Sequence, residues 1–82
     1  MSQHIMVTVG QMRPGQSGKV VQILGGRGIT NRLIALGVRP GKRITKMSST
    51  FMRGPVTIQV DSTRVAIGFG IANKIMVDLE NG

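Results

Sequence analysis

Residues able to hold a metal or move a proton are scarce in this chain. Cysteine is absent, and the remaining candidates are one histidine, His4, and three carboxylates, Asp61, Asp78 and Glu80. A hard cation wants about six oxygen ligands. Asp78 and Glu80, two apart on the outer face of one strand, therefore offer at most a weak cation site, and solvated surface carboxylates are their ordinary reading. His4 lies near the terminus, where disorder is common. The serines and threonines have no histidine partner for nucleophilic catalysis. Gly25-Gly26-Arg27-Gly28 before a helix can bind an anion with free backbone amides, but the same residues also make a plain flexible turn. Neither nucleotide fingerprint is complete: Gly26-Arg27-Gly28-Ile29-Thr30-Asn31 lacks its third glycine, and no glycine-rich loop ends in Gly-Lys-Ser/Thr. The expectation is a protein with no catalytic, cofactor or metal site.

Binding is the chemistry left. Eleven Lys and Arg against three Asp and Glu give a net charge of +8, which attracts nucleic acid, an anionic membrane surface or an acidic protein face. Arg27, Arg32, Arg39, Lys42, Arg43 and Lys46 cluster in sequence and can form a stripe for phosphates; a solvated face that keeps the protein soluble is the competing reading. With two Phe and no Tyr or Trp, the stacking platforms of single-strand binders are nearly missing. Phe51-Met52-Arg53 combines an aromatic, a flexible thioether and an arginine, types enriched at interface centres, although Phe51 can equally fold back to lid the core. Phe69, between two glycines, has the same ambiguity. The partner-binding candidates are thus Arg27, Arg32, Arg39, Lys42, Phe51, Met52 and Arg53.

The elements that must position them are short. Eighty-two residues make one domain with one thin core, read as spanning 1–82. No apolar run approaches the about 20 residues that cross a bilayer, and the start lacks a signal segment, so a cytoplasmic location is expected. Twelve glycines and three prolines divide the sequence into short pieces. Strands are expected at Lys19–Leu24, with a bulge, at Arg43–Met47, at Val56–Val60, at Arg64–Ile67 and at Ile75–Leu79. Val56, Ile58, Val60, Val65, Ile67, Ile75, Val77 and Leu79 point inward. Asp61-Ser62-Thr63 is a hairpin turn. A helix over about Ile29–Leu36 buries Ile29, Leu33 and Leu36, ends on Gly37 in the left-handed conformation, and is followed by a type II turn at Pro40-Gly41. Arg13-Pro14-Gly15 reuses that turn. A helical turn through Ile71, Ala72 and Asn73 precedes the last strand. The fold class is mainly β: a small, partly open SH3-like barrel of about five strands, with one short helix between strands one and two and a short helical turn before the last strand.

Several segments together resemble the FeoA family from about Val9 to Leu79: Met12-Arg13-Pro14-Gly15 with Gly18, Arg32 through Gly41, Gly54-Pro55-Val56, and Val65-Ala66-Ile67-Gly68 with Ala72 and Ile75-Met76-Val77. The resemblance implies an SH3-like barrel and a role in ferrous iron uptake through contact with the FeoB membrane transporter, at its cytosolic GTPase part. At the level of the family it also implies an association with transition metal ions. Gly68-Phe69-Gly70 and the basic balance depart from the usual pattern. A small basic nucleic-acid-binding barrel is the rival reading, and a free-standing metal sensor a weaker third.

Overall fold

The computed structural model describes residues 4–49 and 54–80. Six antiparallel strands form one sheet in the order β1-β6-β2-β3-β4-β5. They are β1 (Ile5–Thr8), β2 (Ser17–Ile23), β3 (Arg43–Ser49), β4 (Val56–Val60), β5 (Thr63–Ile67) and β6 (Ile75–Leu79). Helix α1 (Arg27–Ala35) joins β2 to β3, and a one-turn helix, α2 (Phe69–Ala72), joins β5 to β6. A 3-10 turn over Val9–Gln11 follows β1. The sheet curls around the core without a ladder joining β1 to β5 among the described residues.

The sixth strand corrects the expected count of five. Ile5–Thr8 lacks apolar alternation and so has little strand signal of its own. It is ordered by pairing with β6, Ile5 opposite Leu79 and Thr8 opposite Met76. Counted from the N-terminus, the helix therefore follows the second strand, at the chain position expected for it. It also starts at Arg27 instead of Ile29, capped by Gly26 in extended conformation.

Alternation decides the rest of the sheet. Val56, Ile58 and Val60 of β4 and Val65 and Ile67 of β5 are all buried, as are Ile75 and Val77 of β6, while Leu79 is half-buried. Residues Asp61 and Ser62 close the β4–β5 hairpin, with Asp61 at φ 55°, a conformation its short side chain tolerates. The bulge expected in β2 is present: the register with β6 shifts between Val20 and Gln22. At Gly18 of β2 the neighbouring strand β6 leaves no room for a side chain, because a Cβ there would lie 2.4 Å from Val77 Cγ1 and 2.6 Å from the Asp78 carbonyl oxygen.

The stop of α1 is a Schellman motif. Val38 N–H donates to the Leu33 carbonyl at 2.8 Å and Gly37 N–H to the Ile34 carbonyl at 2.9 Å, with Gly37 at φ 92°. Leu33 and Val38 meet in the core, the apolar contact that accompanies such a cap. Lys42 N–H then donates to the Arg39 carbonyl, closing a turn with Gly41 at φ 91°. Gln16 N–H donates to Arg13 in the same way, with Gly15 at φ 93°. Leu36 does not join the core: it is 43% exposed, at the C-cap where the helix ends.

Candidate partner-binding face

The basic stripe read along residues 27–46 splits into two sets. Lys42 Nζ lies 2.7 Å from Asp61 Oδ2, tying the turn before β3 to the β4–β5 hairpin. Arg43 binds Glu80 through both Nε and Nη2, a forked pair across exposed side chains of β3 and the end of β6. Its hydrogen bond, foremost, holds the Glu80 carboxyl below the ordinary carboxylate range. The third carboxylate, Asp78, accepts from His4 Nδ1 at 2.6 Å. His4, expected to be disordered, is thus placed by Asp78 against the neighbouring strand. Each carboxylate of the chain has a cationic or imidazole partner, so Asp78 and Glu80 are not an open pair for a cation. Among the described residues no group of three His, Cys, Asp or Glu is arranged to hold a metal.

Lys46 is the largest departure from the expected stripe. It is 2% exposed, and its Nζ donates to the carbonyl oxygens of Val9 at 3.0 Å, Gly10 at 3.3 Å and Met12 at 2.5 Å. These carbonyls belong to the 3-10 turn and its exit, whose entry is held by a reciprocal cap between Thr8 and Gln11. The ammonium therefore closes the end of one element from the middle of another, and burial pulls its pKa below the ordinary lysine value. Parity carried the signal for this: Ile44 faces the core, so Lys46, two residues on in the same strand, does too.

Arg27, Arg32 and Arg39 remain exposed, with no ion pair among the described residues. Arg27 and Arg32 ride on α1, and Arg39 opens the turn that follows it. Arg32 stands in the last turn, where the helix dipole also favours a cation. Beside Arg32, a shallow groove of about 260 Å³ runs between the two helices, lined by Gly28, Ile29, Arg32 and Ile71. Leu36 follows one turn along the same flank of α1. Phe69 is half-buried on α2, between the two roles considered for it. Phe51, Met52 and Arg53 lie outside the described residues.

The described residues thus form a small curled sheet with a basic helical flank. Residues 7–79 match the FeoA domain family. Over 66 residues, 80% of this chain and 78% of the relative, the sequence is 33% identical to a protein of Methanocaldococcus jannaschii named as a candidate Fe(2+) transport protein A. A crystal structure of an iron uptake regulatory protein, FeoA, superposes with a TM-score of 0.87 at 38% identity, covering 93% of this chain and all of that one. The FeoA of Stenotrophomonas maltophilia, crystallised with zinc and described as a procaryotic SH3 domain protein, shares the fold at a TM-score of 0.76 and 24% identity, covering 88% and 89% of the two chains. This chain belongs to the FeoA domain family, whose members are accessory proteins of ferrous iron transport. No helix among its described residues is long and apolar enough to cross a membrane.

Proposed function

We propose that this chain is a cytoplasmic, non-enzymatic accessory protein of ferrous iron uptake that acts by docking on the cytosolic part of the FeoB membrane transporter. The observation that carries the reading is the uncompensated charge of α1 and the turn after it: Arg27, Arg32 and Arg39 are exposed near an apolar groove, while the three side-chain carboxylates of the chain are occupied elsewhere. Arg27, Arg32 and Arg39 form the docking edge, Lys42 supports it from the turn below, and Phe51, Met52 and Arg53, between β3 and β4 in the sequence, supply a second contact. Iron is the cargo of the transporter in this reading and is not carried by the chain.

The nucleic-acid alternative loses support from the fate of its own stripe. Lys42 and Arg43 are paired with carboxylates and Lys46 is buried, which leaves three of six cations free for phosphates. Co-purification with full-length FeoB tests the docking reading. The wild-type chain is expected to be retained, and the Arg27→Glu, Arg32→Glu, Arg39→Glu triple variant to be lost; equal retention of both would overturn it. Full retention of a Phe51→Ala, Arg53→Ala double variant would remove the loop from the interface.

A further inference from the structure

Two helical glycines have no reason within the fold. Gly28 lies in the first turn of α1 and Gly70 in α2, and neither has a positive φ. A Cβ added at either meets nothing within 4 Å. Glycine costs roughly 1 kcal/mol relative to alanine in a helix interior; at these helix ends the cost is smaller, but glycine still gains nothing from its φ or its surroundings. This contrasts with Gly18, where strand crowding excludes a side chain, and with Gly37, where φ does. What the bare Gly28 does is leave open the α1–α2 groove, whose wall it forms with Ile29, Arg32 and Ile71.

The groove suits one kind of occupant. Its volume of about 260 Å³ is below the roughly 300–1,000 Å³ of small-molecule sites, and it is open along one side, a size for a side chain presented by another protein. Ile29 and Ile71 make it apolar, no aromatic ring among the described residues lines it for base stacking, and Arg32 places one cation at its wall. Leu36, exposed one turn further, extends the apolar track, and Arg27 and Arg39 add charge at the two ends of the helix. A second copy of the chain is poorly matched, since Asp61, Asp78 and Glu80 are already engaged and no other carboxylate side chain exists.

We propose that the groove between α1 and α2 seats a large apolar side chain of an acidic partner segment, with Arg32 meeting a carboxylate next to that anchor and Gly28 keeping the seat open. The identity of the partner rests on the docking reading above; the chemistry of the seat does not.

The test uses the full chain and a Gly28→Leu variant, in which the new side chain fills the groove. The variant should melt no lower than wild type, since a Cβ at position 28 meets nothing within 4 Å and leucine is the better helix former. Two probes are titrated calorimetrically: full-length FeoB in micelles, and a synthetic peptide with leucines spaced among glutamates, beside its glutamine twin. Expected is binding of both FeoB and the glutamate peptide, at least about tenfold weaker for Gly28→Leu and for Arg32→Glu, unchanged for Arg64→Glu on β5, and weaker for the glutamine twin. FeoB binding that survives Gly28→Leu at wild-type strength overturns the groove and leaves the docking reading standing. Peptide binding sensitive to Gly28→Leu, with no FeoB binding by the wild type, sinks the docking reading and keeps the groove. Equal affinity for the two peptides, or a groove-dependent preference for an RNA oligonucleotide, overturns the acidic-partner chemistry.

Discussion

Lys46 shows how one side chain can leave a charged surface and enter the architecture. Its ammonium serves three backbone carbonyls at the end of the 3-10 turn, of which Val9 also accepts from the Met12 N–H. Replacing it by methionine keeps the stem but takes this donor from all three and leaves Val9 only the Met12 N–H, at a cost of roughly 2–4 kcal/mol, given about 1–3 for each buried polar group left unsatisfied and partial relief by water. Lys46→Ala should cost more, because the stem's packing is lost as well. Denaturant melts of the two variants check the order. Glu80 makes the pH prediction. Its native pKa is depressed by Arg43, so its contribution is present above the unfolded carboxylate value and is lost as pH falls through the lower native one. Thermal melts from neutral to strongly acid pH should show wild type losing more of its advantage over Glu80→Gln below about pH 4.5 than above it, with the difference absent in an Arg43→Ala background. Sequence clustering put Lys46 in the basic stripe although its parity with buried Ile44 carried the inward signal, whereas nothing local paired Arg43 with Glu80, 37 residues away.

The elements were legible in proportion to how local their causes are. The cap of α1 is written in consecutive residues: Leu33 and Val38 for the apolar clasp, Gly37 for the left-handed position, Pro40-Gly41 for the turn. Gly37→Ala should accordingly destabilise by about 1–2 kcal/mol, the cost of a Cβ in the left-handed region, read as a lower melting temperature with unchanged β signal by circular dichroism. β1 is the opposite case. Its four residues lack alternation, and their strand conformation comes from the ladder with β6, far away in the chain. Leu36 departs from the expectation: its spacing from Leu33 and Ile29 fits an apolar face, but it falls at the C-cap, where it stays 43% exposed. The α1–α2 groove escaped notice because its walls come from residues 28–32 and 71, and no sequence pattern brings those together.

Across the whole molecule, charge is distributed by pairing more than by composition. The net charge of +8 predicts faster, salt-sensitive association with an acidic partner, since exposed charges are screened beyond about 10 Å at 0.1 M salt. Stopped-flow association with FeoB should therefore slow steeply as salt rises, with dissociation changing less; a salt-independent rate would place the contact on apolar surface alone. Composition and short-range pattern alone settled the absence of a thiolate site, the strands that alternate, the helix with its stop and the turns, because these depend on residue type and on spacings of two to four. Family resemblance was legible for the same reason, in the turn and cap residues that recur at set distances. Tertiary structure alone decided which cations of the stripe stay free, that Lys46 is a buried clamp, that His4 meets Asp78, and that two helices frame a groove beside Arg32. Those outcomes depend on which distant segments the sheet lays side by side, and a carboxylate quenches an arginine only where the register sets them within reach.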